Sequence, residues 1–389
     1  MIREFDYEQT TKICFGRGRL EELPSLASSY GKKVLLVTSK KASSREALYK
    51  SVREKLEDQG LTVAHYDGVV PNPTTESIDF GVELAKERGV DVVIGLGGGS
   101  VMDSAKAIAM AAVNEGRAWD YLFFKSPQPK RTLPMIAVPT TSGTGSQVTQ
   151  VSVMTETETS TKSAIANNLI YPKAAIIDPE LMVSMPAHIT ASTGFDAFCH
   201  CFESYINVKA SPYTDMIALE GIKAAAAYLR RAVRDGEDIE AREGMAWADT
   251  CGGLAIANAG VTLPHGVGMT ISGHCPQIMH GESLALTYPS FLRFTYPGAV
   301  EKFAEVGRIF NPRLKNIPDG EAAECCCDEI DHFLQEIDMW LNFRGFGVDQ
   351  EMLKRIAERS YDLPDYQANP VIADLDEVYK ELMEGYERV

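Results

Sequence analysis

The chain has 389 residues, which exceeds the usual size of a single hydrophobic core and predicts two domains. Its 54 acidic residues outnumber 38 basic ones, and the resulting formal net charge of −16 argues against a nucleic-acid partner. No apolar run is long enough to span a bilayer, and the first residues lack the apolar core of a signal peptide. We therefore expect a cytoplasmic protein that has no membrane partner.

The first part of the chain alternates short apolar runs with amphipathic segments, a pattern typical of a parallel sheet covered by helices. Helices are predicted through SREALYKSVREKLEDQG (44–60) and in the segment that ends at KERG (86–89). The predicted strands are KVLLVT (33–38), LTVAHYD (61–67), VDVVIGLG (90–97), TLPMIAVPT (132–140) and AAIIDP (174–179). These elements predict an α/β domain over residues 1–185.

From about Pro186 onward the strand-like alternation disappears and long helical segments replace it. The first three are PAHITASTGFDAFCHCFESYI (186–206), SPYTDMIALEGIKAAAAYLRRAV (211–233) and EAREGMAWADTCGGLAIANAG (240–260). Three adjacent cysteines, Cys325 to Cys327, lie in a later helical stretch, where their spacing suits neither a disulfide framework nor a metal knuckle. We expect them to pack in a core, within an all-α domain over residues 186–389.

A glycine-rich turn follows the strand that ends near residue 97. In GLGGGSVMDSAKAIA, the residues Gly98, Gly99 and Ser100 lie directly between a strand and a helix. Glycines at such a turn let the backbone approach a phosphate, and the helix N-terminus offers free N–H groups. The turn lacks the third glycine of the Rossmann pattern and the Lys-Ser/Thr pair of a P-loop, so an ordinary tight turn capped by Ser100 is the alternative.

A second donor-rich loop favours the ligand-binding interpretation. VPTTSGTGSQVT (138–149) follows another predicted strand and contains Thr, Ser and Gly almost throughout. Its hydroxyl and amide groups suit a pyrophosphate or a ribose. Because the carboxyl ends of parallel strands meet at one edge of a sheet, we expect one ligand to cross both loops there.

The helical half contains a candidate metal site in two pieces. Asp196 and His200 are four residues apart on a predicted helix, so their side chains project from one face. His265 and His280 would lie about 22 Å apart on one straight helix. Gly273 and Pro276 predict a break between them that allows the two imidazoles to converge. A set of three nitrogens and one oxygen suits Fe²⁺ or Zn²⁺.

Taken together, these motifs resemble the iron-containing (group III) alcohol dehydrogenase family nearly from end to end. The resemblance rests on motifs that follow one another in the family's order. In chain order they are FGRGRLEELPSLASSYGKKVLLVTS, PNPT, GLGGGSVMDSAKAIA, PTTSGTGSQVT, IIDPELMVSMP, TGFDAFCHCFESYI, LPHGVGM and MHGESLA. It implies an N-terminal dinucleotide-binding domain and a helical catalytic domain in a dehydroquinate synthase-like fold. It also implies an NAD(P)-dependent and metal-dependent oxidoreductase that transfers a hydride between a nicotinamide cofactor and a short-chain primary alcohol or aldehyde.

The resemblance assigns residues to roles. The metal ligands, for Fe²⁺ or Zn²⁺, would be Asp196, His200, His265 and His280. The cofactor contacts would be Ser39, Asn72, Gly98, Gly99, Ser100, Asp103, Thr140, Thr141, Thr144 and Lys162. Proteins of this kind are usually homo-oligomers, and we expect the same here.

Two positions depart from the family's pattern. Many members have a second histidine four residues after the first histidine of the LPHGVGM motif, but this position is Met269, and a thioether cannot relay a proton. His274 is the candidate catalytic group in its place. After the first long strand, NAD-specific members often have Asp, whereas this chain has Ser39 followed by Lys40 and Lys41. An acidic residue there would repel the 2′-phosphate of NADP. Because this chain has none at position 39, the sequence allows either NAD or NADP as the cofactor.

Three alternatives to a simple alcohol dehydrogenase are considered. The first two are enzymes of the same fold, a glycerol-dehydrogenase-like enzyme and a hydroxyacid–oxoacid transhydrogenase. The third is a non-catalytic protein that binds metal or nucleotide. Phe195, Phe198 and Met269 are predicted to line the substrate pocket, which would favour small, partly apolar substrates.

Overall fold

The computed structural model describes residues 4–40, 45–159 and 161–389. The chain divides into two compact units, Glu8–Ser184 and Met185–Val389, and the first residues up to Tyr7 group with the second. Every regular element of the second unit is a helix. The predicted combination of an α/β N-terminal part with an all-α C-terminal part is confirmed.

The first unit is built on a six-stranded parallel sheet with the strand order β1-β8-β5-β4-β2-β3. Its strands are β1 (Lys12–Phe15), β2 (Lys33–Ser39), β3 (Thr62–Val69), β4 (Val92–Gly97), β5 (Met135–Pro139) and β8 (Ala174–Ile177). The helices are α1 (Leu23–Ser28), α2 (Glu46–Asp58), α3 (Thr75–Arg88) and α4 (Gly99–Ala111). The five predicted strands are all present, each within a few residues of its predicted limits.

Alternation along the strands divides the sheet into two buried faces. Leu36, Ile94 and Val138 pack against α1 and α2 in one cluster, whereas Gly95 lies against α4, where a Cβ would come within 2.9 Å of the Ala105 Cβ. Burial on both faces explains why these strands are almost continuously apolar.

A two-stranded antiparallel hairpin was not predicted. It pairs β6 (Val151–Glu156) with β7 (Thr161–Ala166) beside the main sheet. Both strands are rich in Thr and Ser, and their residues are buried alternately, so their weak hydrophobicity concealed them.

The second unit contains α5 (Ala187–Ile206), α6 (Pro212–Arg234), α7 (Ile239–Ala259), α8 (Leu263–His274), α9 (His280–Thr295), α10 (Val300–Phe310), α11 (Asp319–Glu336), α12 (Gln350–Arg359) and α13 (Leu375–Glu387). The predicted break between His265 and His280 is confirmed, because α8 ends at His274 and α9 begins at His280. Cys326 and Cys327 are buried in the core of this unit, as expected, whereas Cys325 is only partly buried against it. Within the described residues, we find no helix that is both long enough and apolar enough to cross a membrane.

Helix α9 has a proline in its interior, so one of its backbone carbonyls needs a hydrogen-bond donor from outside the helix. Pro289 has no N–H, so the Ala285 carbonyl has no donor four residues later. The Arg388 guanidinium supplies one, donating to Ala285 O over 3.2 Å and to Leu286 O over 3.1 Å. It also donates to Leu341 O over 2.9 Å. Arg388 thus completes the hydrogen bonding of the helix that begins with His280.

We expect Arg388→Ala to lower the free energy of unfolding by about 1–3 kcal/mol, because it removes the donor that Pro289 cannot supply to the buried Ala285 carbonyl. The measurement is urea denaturation followed by circular dichroism. The control is Arg355→Ala, whose side chain is 58% exposed and pairs only on the surface of α12. A change of no more than about 0.5 kcal/mol is expected there. Equal losses in the two variants would contradict the role of Arg388.

Candidate active site

One candidate site, within the first unit, is the glycine turn between β4 and α4. Gly97 of β4 lies beside Pro139 of β5, and the Thr140 amide donates to Gly97 O over 2.9 Å. The two donor-rich loops therefore leave the sheet at adjacent points of the same edge, as predicted. Gly98 precedes the helix in an extended conformation, and Gly99 is the first residue of α4.

The turn has no room for larger residues. A Cβ on Gly99 would lie 2.5 Å from Thr144 Cγ2, and a Cβ on Gly98 would lie 3.2 Å from Thr141 Oγ1. The Thr-rich loop thus packs directly over the turn, and this close approach requires glycine most strongly at position 99. The first-turn amides of α4, at the positive end of a 13-residue helix, fit the phosphates of a dinucleotide.

The other predicted cofactor contacts lie around this edge or on the neighbouring hairpin. Ser39 is the last residue of β2, and its Oγ lies 2.9 Å from the Tyr49 hydroxyl. Asn72 adopts a left-handed conformation with φ 50°, and its Oδ1 accepts from the Lys162 ammonium over 3.0 Å. The cofactor roles of these residues stay predictions.

Asp103 has a different environment from the one expected of a group that faces a cofactor. Its Oδ1 accepts from Ser146 Oγ over 2.6 Å, and its Oδ2 accepts from the Val153 amide over 3.2 Å. The carboxylate therefore connects α4 to the Thr-rich loop and to β6, and we propose that it holds these segments in place.

Lys106, one helical turn after Asp103, was missed by sequence reasoning. Its ammonium is wholly buried and donates to Ser146 Oγ (2.9 Å), Thr149 Oγ1 (3.1 Å) and Val151 O (2.7 Å). Burial lowers the pKa of Lys106 to about 8, although the nearby charge of Asp103 raises it in part. All three donors of the ammonium are thus used to fix the loop at 146–151. The signal in the sequence was the i, i+3 spacing of an acid and a base.

Arg45 is a second residue that sequence reasoning missed. It precedes α2, and its guanidinium donates to Thr140 Oγ1 and reaches Thr140 O at 3.5 Å. This contact brings a positive charge to the end of β5, beside the glycine turn. Lys40 is exposed at the end of β2, whereas Lys41 lies outside the described residues.

A separate candidate site, within the helical unit, is a cluster of one acid and three histidines, in which His280 is partly exposed and the other three residues are buried. It draws Asp196 and His200 from α5, His265 from α8 and His280 from the first position of α9. Asp196 Oδ1 lies 3.5 Å from His265 Nε2 and 3.8 Å from both His200 Nε2 and His280 Nε2. The structure thus brings all four predicted ligands together. Potential ligand atoms of Asp196, His265 and His280 lie within 4.8 Å of one another.

The chemistry of the cluster fits a divalent cation. Asp196 Oδ1 and His265 Nε2 are buried, and within the described part of the chain neither makes a hydrogen bond. Burial by itself would raise the pKa of Asp196, but the imidazoles of His200 and His280 outweigh it and hold the pKa below its ordinary value. A carboxylate and imidazole nitrogens facing one point form a donor set that accepts Fe²⁺ or Zn²⁺.

Comparison with known protein families identifies the chain. The family model described as iron-containing alcohol dehydrogenase matches residues 10–179, and the model for the C-terminal domain of the Fe-containing alcohol dehydrogenase family matches residues 190–385. The chain belongs to the iron-containing alcohol dehydrogenase family. It is therefore an enzyme, an oxidoreductase that acts on alcohols or aldehydes in a metal-dependent reaction.

Individual relatives in this family cover almost the whole chain. The NAD-dependent methanol dehydrogenase of Bacillus methanolicus is 31% identical over 93% of this chain and 95% of its own length. A choline dehydrogenase of Bacillus subtilis is 35% identical over 95% of this chain and 92% of its own length. The crystal structure of a 1,3-propanediol oxidoreductase superposes with a TM-score of 0.94, at 31% identity, over 99% of this chain and 100% of that one.

Two residues of α8 entered the prediction of how this iron-containing alcohol dehydrogenase moves a proton. Met269 lies one turn after His265 on α8, at the position where many members have a histidine. His274 is the last residue of α8, and its Nδ1 lies 3.1 Å from the Thr270 carbonyl of the same helix. That contact orients the His274 ring by its own backbone, and a role in proton transfer stays a prediction.

The expectation that Phe195 and Phe198 line the substrate pocket is wrong. Both side chains are 0% exposed and pack against Tyr288 and Phe333 in the core of the helical unit. Asp196 and His200 define one face of α5, and the 3.6-residue period turns positions 195 and 198 away from that face. Phe198 also contacts the rings of Phe202 and Phe310 in this core.

The pKa of His265 predicts that metal affinity at the proposed site depends on pH. Burial lowers this pKa, but the charge of Glu203, 2.6 Å from Nδ1, together with Asp196 on the other side, raises it above its ordinary value. We therefore expect Nε2 of the metal-free protein to be protonated at neutral pH, so that a metal has to displace that proton. We expect the affinity for Zn²⁺ to rise about tenfold per pH unit between pH 6 and 8.

This pH dependence is checked by titrating the metal-free protein with Zn²⁺ in a calorimeter, in buffers that differ in ionisation enthalpy. The heat difference between buffers counts the protons released. An affinity that is flat across this range, with no proton release, would contradict the raised pKa.

Proposed function

We propose that this chain catalyses the NAD(P)-linked interconversion of a short-chain primary alcohol and its aldehyde. The metal would be Fe²⁺ or Zn²⁺, held by Asp196, His200, His265 and His280. The observation that carries this proposal is the approach of three imidazoles, drawn from three helices, to within 3.5–3.8 Å of the buried Asp196 Oδ1. The relatives support the substrate class, because methanol, choline and 1,3-propanediol are all primary alcohols.

The roles of the chain's own residues follow from their positions. When bound, a divalent metal supplies a Lewis acid that lowers the pKa of an alcohol hydroxyl, and a nicotinamide supplies the hydride acceptor. Within the described residues, Asp196 Oδ1 and His265 Nε2 make no hydrogen bond, so a bound cation would satisfy two buried polar atoms. The glycine turn and the Thr-rich loop offer amides and hydroxyls for the dinucleotide, and Lys106 keeps that loop in position.

We further propose that the enzyme accepts NADP as well as NAD. Sequence and structure support this at the end of β2, where Ser39 has a hydroxyl and Lys40 is exposed. Neither residue repels a 2′-phosphate, and the Lys40 ammonium attracts one. Cytoplasmic location and assembly into a homo-oligomer stay predictions.

Ser39→Asp is expected to raise KM for NADPH about 10- to 100-fold and to change KM for NADH much less, because it places a carboxylate beside a 2′-phosphate. The measurement is steady-state kinetics with both cofactors at a saturating aldehyde concentration. Ser39→Asn is the control, since it has a similar size without the charge. If NADPH and NADH respond alike to Ser39→Asp, this residue does not face the 2′ position.

The function itself is tested by stripping the protein with a chelator and reconstituting it anaerobically with Fe²⁺ or Zn²⁺. The absorbance of NADH and NADPH is then followed with butyraldehyde, lactaldehyde, 3-hydroxypropanal, dihydroxyacetone and succinic semialdehyde. Metal-dependent oxidation of the nicotinamide by a primary aldehyde supports the proposal. Activity only with dihydroxyacetone would favour a glycerol dehydrogenase. Turnover between a hydroxyacid and an oxoacid without exchange of free cofactor would favour a transhydrogenase.

A further inference from the structure

Glu203 is a wholly buried carboxylate within the motif TGFDAFCHCFESYI, but it is not one of the proposed metal ligands and was given no role from the sequence. It lies on α5, seven residues after Asp196 and three after His200, so it projects from the same face of the helix. Oε1 accepts from His265 Nδ1 over 2.6 Å and from the Tyr288 hydroxyl over 2.9 Å. Oε2 accepts from the Thr262 amide over 2.8 Å and from Thr262 Oγ1 over 3.0 Å.

These four hydrogen bonds connect three helices through one side chain. Thr262 precedes the first turn of α8, and its own side chain makes no capping hydrogen bond to that helix. The Thr262 amide instead donates a hydrogen bond to the Glu203 carboxylate, which satisfies a free N–H at the N-terminus of α8. Tyr288 ties the same carboxylate to α9. Glu203 therefore links the helix that carries Asp196 and His200 to the two helices that carry His265 and His280.

The bond to His265 also fixes the state of its ring. A carboxylate accepts and does not donate, so Nδ1 keeps its hydrogen; once a metal has displaced the proton on Nε2, Nε2 is the atom that offers a lone pair. Nε2 is also the atom that faces Asp196, at 3.5 Å. The ring is thus held in the one tautomer and the one orientation in which it can ligate a metal beside Asp196.

We propose that Glu203 is a positioning residue of the metal site, which orients His265 and strengthens it as a ligand. This inference rests on the proposed metal site. It assigns to Glu203 an effect on metal affinity in addition to its effect on the packing of α5, α8 and α9. Carboxylates behind ligating imidazoles typically change metal affinity by about 10- to 100-fold.

The test compares Glu203→Gln with Tyr288→Phe. Glu203→Gln removes the charge behind His265, whereas Tyr288→Phe removes one hydrogen bond to the same carboxylate and leaves its bond to His265 intact. Each metal-free protein is titrated with Zn²⁺ in competition with a chromophoric chelator. We expect Kd to rise about 10- to 100-fold for Glu203→Gln and less than about threefold for Tyr288→Phe. Co²⁺-loaded protein provides a second readout, because a change in His265 ligation shifts the visible absorption bands.

Glu203→Asp, which keeps the charge but withdraws it from His265, is the second variant in case Glu203→Gln does not fold. It is expected to weaken Zn²⁺ binding to an intermediate degree. If either folded Glu203 variant binds Zn²⁺ as tightly as the wild type, or if Tyr288→Phe loses as much affinity, Glu203 has only a packing role. Asp196→Ala separates the two proposals. If it binds Zn²⁺ as well as the wild type, the proposed metal site itself is wrong.

Discussion

Asp196→Ala is expected to abolish stoichiometric metal binding and to lower kcat/KM for aldehyde reduction by about a thousandfold or more. Asp196 Oδ1 is the atom that lies within 4 Å of all three imidazoles, so its loss removes both the one anionic ligand of the cluster and the point that the histidines face. Lewis-acid activation of a substrate oxygen is worth several kcal/mol, and each 1.36 kcal/mol corresponds to a factor of ten in rate. Metal content per chain and steady-state kinetics provide the measurements.

Asp58→Ala serves as the control, because Asp58 is an exposed residue at the end of α2 in the other unit. It should retain both metal and activity. Full activity in Asp196→Ala would show that this cluster does not hold the catalytic metal. If Asp196→Ala loses activity but keeps its full metal content, Asp196 is needed for the reaction in another way than as a metal ligand.

Gly281→Ala is expected to lower the free energy of unfolding by about 3 kcal/mol or more, which is the upper range for overpacked sites. A Cβ at this position would lie 1.9 Å from the Ser192 carbonyl oxygen and 2.6 Å from its carbon. The obstacle is the backbone of α5, so no rotamer change relieves it. Because His280 is the preceding residue, the shift of α9 should also weaken Zn²⁺ binding. Urea denaturation and a competition titration measure the two effects.

Gly320→Ala is the matched control for this substitution. Gly320 lies in the first turn of α11, and a Cβ there meets no atom within 4 Å. Alanine should leave stability unchanged or raise it by up to about 1 kcal/mol. If Gly281→Ala is as stable as Gly320→Ala, the close approach of α9 to α5 is not a constraint on the fold.

Most of the architecture could be predicted because it rests on strong local signals. Buried parallel strands such as β2 and β4 are nearly continuous runs of Val, Leu and Ile between glycines or polar residues. The end of α8 followed from Gly273 and Pro276, and the geometry of a helix required that break before His265 and His280 could meet. The ligand set followed from a resemblance of several ordered motifs, and the structure then placed its members side by side.

What escaped prediction depends on contacts between distant parts of the chain. The carboxylate of Glu203 meets His265 across 62 residues of sequence, and the Lys106 ammonium meets its acceptors across about 40. A helical pattern shows which residues share a face, but it does not show what lies opposite that face. For the same reason Phe195 and Phe198 were assigned to a pocket, although aromatic neighbours on α9 and α11 enclose them.

The four proposed ligands come from segments that are distant in the chain, since about 65 residues separate His200 from His265. A cation held by α5, α8 and α9 therefore acts as a crosslink that closes a long loop, and it binds the folded chain in preference to the unfolded one. Its stabilising effect grows with the ratio of free metal to Kd. Metal supply would then govern the resistance of this enzyme to proteolysis as well as its activity. A cell short of the metal would hold less of the protein, because the metal-free chains unfold and are degraded first.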